Sequence, residues 1–297
     1  MKLPIIKYRN VWFLFSSALS VASIVILFTF PLKFGIDFTG GSLMEIEFAG
    51  ERPAPAAIST ELVAHGVNES VAQTFGDKEM IVRMRTLDEQ KHQEVRDALD
   101  KKFDGVTEHR FESVGPTVGD ELRKKAVWSI ALVLLAIALY VSYAFRKVSR
   151  PVASWKYGLS TLIVGLLHDV LLPLAAFALL GKVANAEVNS SFVAAILTVL
   201  GFSVHDTIVV FDRIRENLLK TGGAFEEIVE RSVNETISRS INTSLTAVFP
   251  LVAIFFWGGE SLHFFALTLI IGLVAGTYSS IFLASPMLVM MQKKSGR

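Results

Sequence analysis

The chain has 297 residues, 52% of them hydrophobic, a mean hydropathy of +0.48 and a formal net charge of +1. That is too apolar for an ordinary soluble domain and too neutral to argue for nucleic acid, so a multi-span membrane protein is the starting expectation. Without a single Cys, disulfides, thiolate catalysis and Cys-zinc sites are excluded.

Six stretches are long enough to cross a hydrocarbon core: residues 11–30, 126–145, 157–180, 188–211, 240–257 and 262–291. The first is too long for a signal-peptide core and lacks a small-residue cleavage site, so it reads as a retained anchor. Lys and Arg fix the orientation. Fifteen of them, Lys2, Lys7 and Arg9 through Lys293, Lys294 and Arg297, fall at the termini and in alternate loops, against Lys182 alone in the other short loops. Both termini are therefore expected in the cytoplasm. Trp12, Trp128, Trp155 and Trp257 near span ends fit interfacial anchors.

Between the first two spans lies a polar insert, residues 33–125, which divides the chain into 1–32, 33–125 and 126–297. Residues 43–49 alternate as a strand, with Leu43, Glu45 and Glu47 opposite Met44, Ile46 and Phe48. A helix over 53–66, strands at 70–75 and 79–85 turning at Gly76-Asp77, a helix over 87–103 and a strand at 106–114 follow. That order predicts a small α+β ferredoxin-like domain, extracytoplasmic and set between helices 1 and 2 of a six-helix polytopic protein. His65, His92 and His109 in it have no metal-site spacing.

In the fourth span the run from Gly201 to Arg213 carries His205-Asp206, and the third carries His168-Asp169. A carboxylate at the centre of a membrane helix costs about 2.5–3.5 kcal/mol on insertion scales, so an ion- or proton-handling role is expected. Burial favours the neutral acid and a nearby cation the charged one, and their opposition suits a proton carrier. Asp206 lies roughly 9 Å past the middle of the fourth span toward the cytoplasm. Phe202, Asp206, Val209 and Arg213 share one helical face, but Arg213 is two turns from Asp206, so a partner from the fifth span is expected instead. There Arg239, Asn242, Thr243 and Thr246 form a polar stripe. The competing reading makes Asp206 a structural polar residue, and Asp169 with His168 a packing or supporting pair. Asp212 and Arg213 read as a solvated pair or anchor, and Asp37 as a turn-former with Thr39, Gly40 and Gly41. An amphipathic helix near 223–237 is expected on the membrane surface, feeding the fifth span. Gly272, Gly276 and Ser280 offer a small-residue face for close helix packing.

Residues 35–41 (GIDFTGG) are similar to the first signature of the SecF protein-export subunits. Residues 111–116 (FESVGP, with Gly115 and Pro116), Gly119 and Glu121-Leu122-Arg123 resemble the segment leading into the second span, and Leu167-His168-Asp169 another signature. Residues 201–217 (GFSVHDTIVVFDRIREN) and 238–244 (SRSINTS) resemble the fourth- and fifth-span motifs. The resemblance implies the SecD/SecF family, related to RND transporters: a multi-pass subunit of the bacterial plasma (inner) membrane, not an enzyme, with no cofactor or metal. It implies pairing with SecD, action beside the SecYEG channel, with YajC and YidC as further candidate partners, and use of the proton motive force to draw out an unfolded polypeptide. It places proton coupling at Asp206 with Arg239 as basic partner. The family often has Asn where this chain has His205, which leaves open whether the imidazole shares the proton. Sodium is the alternative coupling ion. Rival readings are half of an RND-type exporter of lipids or small molecules, which usually carries a larger outer domain, and an intramembrane hydrolase with His168, Asp169, His205 and Asp206 as metal ligands. The hydrolase lacks His-Glu-x-x-His and Gly-x-Ser-x-Gly.

Overall fold

The computed structural model describes residues 3–146 and 151–293. Lys2, Lys147, Arg150, Lys294 and Arg297 of the charge asymmetry lie outside the described residues. The chain forms two compact units, Phe34–Val127 and the remainder, Met1–Lys33 with Trp128–Arg297.

The smaller unit is a four-stranded antiparallel sheet with two helices. Its elements are a single turn α2 (Ile36–Thr39), β1 (Gly41–Phe48), α3 (Pro55–Ala64), β2 (Ser70–Phe75), β3 (Glu79–Met84), α4 (Glu89–Phe103) and β4 (Val106–Val114), with strand order β2-β3-β1-β4. The period of two in β1 sends Met44, Ile46 and Phe48 into the core, where they meet Met80 and Val82 of β3, Ile58 and Leu62 of α3, and Val95 and Leu99 of α4. Asp88 starts α4 by accepting a hydrogen bond from the Lys91 backbone N–H at 2.8 Å. Leu87, read from the sequence as the first residue of this helix, lies before that cap but is buried in the same core. Asp37, expected in a plain turn, sits in the single helical turn α2, followed by Gly40 and Gly41 at φ +74° and +126°.

Among the described residues, six helices are long and apolar enough to span a membrane: α1 (Arg9–Thr29), α5 (Pro116–Ala144), Ser154–Val183, α8 (Ser190–Lys220), α9 (Phe225–Trp257) and Leu262–Gln292. Two of them are composite. The third consists of α6 (Ser154–Val164), a π-helical turn (Gly165–Val170) and α7 (Leu171–Val183). The sixth consists of α10 (Glu260–Ser279), a π-helical turn (Ser280–Ala284) and α11 (Ser285–Lys293). A π-turn admits an extra residue into the helical ladder and re-aims the side chains around it.

Two expectations are corrected. The second span begins at Pro116, ten residues earlier than its apolar run, because proline's missing N–H costs nothing at the first position of a helix. Nor is there a separate surface helix near 223–237: the amphipathic stretch is the start of α9, continuous with the fifth span. Its apolar face (Phe225, Val229 and Val233) belongs to a protein core shared with Phe211 and Ile214 of α8, and to no lipid surface. The same stretch holds the N-terminal segment. The Glu230 carboxylate accepts the backbone N–H of Ile5 (2.6 Å), Ile6 (2.9 Å) and Lys7 (3.3 Å), and Asn234 bonds Leu3 in both directions.

Candidate functional site

The centre of the membrane unit is set by glycine. A methyl group at Gly272 would lie 2.2 Å from the Val199 side chain, and one at Gly276 2.8 Å from Cβ of Ser203, so the backbone of α10 packs directly on side chains of α8. Asn189 caps the start of α8 by accepting from the Phe192 N–H at 2.9 Å. Asp206 is the seventeenth of the 31 residues of α8, close to the helix midpoint, since α8 runs on past the apolar stretch to Lys220.

One turn beyond Gly276, the fully buried Ser280 points its hydroxyl at Asp206 Oδ2, 2.5 Å away. The same hydroxyl has a second acceptor, the Thr277 carbonyl, at 3.0 Å. A hydroxyl has a single proton to give. With Asp206 charged, Ser280 donates to it. With Asp206 protonated, the acid donates to Ser280, which turns its own proton to Thr277. Both charge states are thus bonded, which lowers the cost of switching between them.

Asp206 borders a cavity of about 20 Å³ lined by Phe202, Ser203, His205, Thr243, Ser244, Leu273 and Thr277. Its wall is mostly apolar, but a cavity of that size has room for a single water, with Asp206, Ser203, Ser244 and Thr277 as polar groups around it. Ser244 and Thr277 are hydrogen-bonded to one another on its wall, and Thr277 is also bonded to the Leu273 carbonyl.

The fifth-span stripe is only partly brought to this site. Thr243 lines the cavity, and Thr246 donates to the Thr243 carbonyl at 2.8 Å. Arg239 and Asn242 are exposed, as is His205 on α8. Among the described residues no ion pair joins Arg239 to Asp206; the direct partner is Ser280 of the sixth span, not a residue of the fifth. Asp212 and Arg213 do not pair with each other. Arg213 bonds Glu216 and Glu235, each at 2.6 Å, while Asp212 faces Arg215 at 3.7 Å.

The third-span pair is the most enclosed acid–base couple described. Asp169 is 0% exposed and His168 2%, both on the Gly165–Val170 π-turn. Ser203 of α8 donates to Asp169 Oδ2. His168 Nδ1 stands 3.4 Å from Asp169 Oδ1, and neither imidazole nitrogen nor that oxygen has a hydrogen-bond partner. The imidazole stacks on Tyr278, whose hydroxyl meets Ser16 of α1 at 2.9 Å. Ser203 was missed in the sequence, and Ser280 reads there only as part of a small-residue packing face, not as the partner of Asp206.

In the sheet unit, the family signatures meet. A methyl on Gly40 would fall 2.9 Å from Cα of Pro116, and one on Gly119 2.9 Å from the Gly40 nitrogen. Gly40, Gly119 and Pro116, which follows Gly115, therefore dock the start of α5 on the glycine turn, a structural role. On the sheet, Glu47, Glu79 and His109 bring ligand-type atoms within 4.8 Å of one another, with His109 Nε2 2.8 Å from Glu47. His92, nearly buried, stacks on Phe111 and pairs with Glu108 at 2.7 Å.

Comparison with known proteins bears on this geometry. The family described as "Protein export membrane protein SecD/SecF, C-terminal" matches residues 94–294, and the "SecD/SecF GG Motif" family residues 25–50. The protein translocase subunit SecF of Thermobaculum terrenum is 41% identical over 98% of this chain and 95% of its own length. That of Anaerolinea thermophila is 38% identical over 99% of this chain and 96% of its own. The crystal structure of SecDF, a translocon-associated membrane protein from Thermus thermophilus, superposes with a TM-score of 0.84 at 29% identity, covering all of this chain and 39% of that one. The chain thus spans about two fifths of the SecDF chain it matches.

Proposed function

The chain belongs to the SecD/SecF family of protein export membrane proteins and serves as a Sec translocase subunit in a bacterial membrane, and we propose that it couples export to proton flow through Asp206. The observation that carries this reading is the pair of bonded states open to Asp206. Ser280 satisfies the carboxylate, and with Thr277 it also satisfies the protonated acid. The reading is of a non-enzymatic subunit working with protons, with sodium as the competing ion.

A SecD-type partner is supported by what the membrane unit leaves uncovered. Asn242, Thr243 and Thr246 of α9 and His205 of α8 are exposed on helices long and apolar enough to span a membrane, and Arg239 is exposed just ahead of the apolar stretch of α9. Charged and polar side chains there face other helices or water, not lipid. We read this face as covered by the membrane helices of SecD, with Arg239 brought toward the proton site in the assembled pair. SecYEG, YajC and YidC follow from the family alone. The lysine and arginine asymmetry supports cytoplasmic termini and, with them, an extracytoplasmic sheet unit. The sheet order β2-β3-β1-β4 supports a ferredoxin-like assignment for that unit.

The test is gradient-driven precursor release from proteoliposomes holding the partnered chain. Asp206→Asn keeps the shape and the bond to Ser280, and is expected to pair normally while losing at least tenfold of the proton-dependent rate. Undiminished release at equal protein would overturn the proposal, and dependence on sodium alone would replace the ion.

A further inference from the structure

We infer that His168 and Asp169 form a second proton-holding site, in series with Asp206 and joined to it through the Ser203 hydroxyl. The inference rests on the reading of Asp206 given above. Three observations carry it. An acid and a base, both almost wholly buried, stand 3.4 Å apart with Asp169 Oδ1 and both imidazole nitrogens unpartnered, an arrangement that fits a proton moving on and off. In a purely structural site such atoms are costly and are normally satisfied. Ser203 faces both sites: it donates to Asp169 and lines the cavity that Asp206 borders. Finally, the pair is carried by a π-turn, a local change of helical pitch that turns it toward α8.

The elements packed around that turn supply few competing groups. Tyr278 of α10 stacks on His168 and shares a hydrogen bond with Ser16 of α1. On α6, Tyr157 stacks on Phe145 and Lys156 bonds the Met291 carbonyl, while Lys182 of α7 lies over Phe30. Asp206 is thus the acid that can exchange with the pair. In the transfer, Asp206 gives its proton to one water in the cavity, which passes a proton of its own to Ser203 Oγ, as the Ser203 proton moves to Asp169 Oδ2. One proton moves in total, and Asp206 is left as a carboxylate bonded by Ser280. Rotation of the Asp169 carboxyl group then carries the protonated oxygen to the side that faces His168 Nδ1, where the pair shares the proton.

The test is difference infrared spectroscopy of the partnered chain in proteoliposomes as a proton gradient is imposed, together with precursor release. Two protonated-carboxyl bands are expected. D206N removes one and D169N the other, and each cuts gradient-driven release at least tenfold. Asn at 169 still accepts from Ser203, so a merely structural role would survive it. S203A keeps both bands and slows their interconversion at least tenfold. Wild-type release from D169N, or the absence of a band lost with it, overturns the inference; if D169N is not produced, a wild-type interconversion rate in S203A does so. Loss of release in D206N with normal D169N and S203A sinks the relay alone, whereas normal release from D206N sinks the underlying reading.

Discussion

The two units treat polar side chains in opposite ways. In the sheet unit charged groups meet at the surface, as Lys91 with Glu94 at 2.8 Å and His109 with Glu47 at 2.8 Å, while the core between strands and helices is almost purely apolar. In the membrane unit Asp169, Ser203 and Ser280 are buried, with Ser203 at the close contact that Gly276 makes with α8. Exposed pairs of the first kind contribute little to stability, because water and salt screen them. A buried polar atom left without a partner costs about 1–3 kcal/mol, so those that persist in the interior have a use or a partner for each state. Both units therefore have an apolar core, and it is the membrane unit that gathers buried polar groups at the positions proposed for proton handling.

The comparison breaks most sharply at Gly276. Gly276→Val pushes a branched side chain into Ser203, where even a methyl would stand 2.8 Å from Cβ. Overpacking of this kind costs about 1–3 kcal/mol, and here it also separates Ser280 from Asp206. The expected outcome is at least a tenfold loss of gradient-driven release with the sheet unit unaffected, read by proteolysis of residues 34–127. The converse experiment is Leu99→Ala, which removes a side chain only 1% exposed from the sheet core. Its expected cost is about 2–5 kcal/mol, seen as accelerated hydrogen exchange confined to the sheet unit. Equal acceleration in α8 and α10 would show that the units do not melt separately.

Much of this division was legible in the sequence, for reasons that differ between the units. Membrane helices are readable because length and hydropathy are properties of a single strip of chain, and Asp169 and Asp206 stand out against that strip. Their partners do not. Ser203 and Ser280 look like the small residues that any close helix contact uses, and their role depends on which helix lies opposite. The two π-turns leave no compositional mark, since one extra residue in a helical ladder alters geometry and not pattern. The continuity of α9 was obscured by its charges, though no glycine or proline interrupts it between Phe225 and Phe249. In the sheet unit the period of two in β1 and the proline at the start of α3 were sufficient, because each acts locally.

A smaller effect sharpens the contrast at the edge of the membrane unit. Both carboxylate oxygens of Glu230 accept backbone N–H groups of the N-terminal segment, so Glu230→Gln removes the charge and also turns one acceptor into an NH2 group that cannot accept. Hydrogen bonds to a charged group exceed neutral ones by about 1 kcal/mol, so a loss of at least that order is expected, with faster proteolysis ahead of α1. Unchanged cleavage would show that Ile5 and Ile6, both 2% exposed, hold the segment by burial alone.

The smallest effect belongs to the exposed acids of the sheet unit. The Glu94 carboxyl is held below its ordinary range first by the hydrogen bond from Lys91 and then by His65. A group whose value is depressed by folding stabilises the fold above its unfolded value and ceases to do so as pH falls through the folded one. Glu94→Gln should therefore weaken the sheet unit slightly near neutral pH and make no difference in acid, below the range where the carboxylate is lost. Because the group is fully exposed, added salt should erase even the neutral-pH difference. Thermal melts of the full chain followed by exchange within residues 34–127, at two pH values and two salt concentrations, check this. A salt-resistant difference would mean that this surface carries more of the fold's stability than its exposure allows, and the contrast between the two units would narrow.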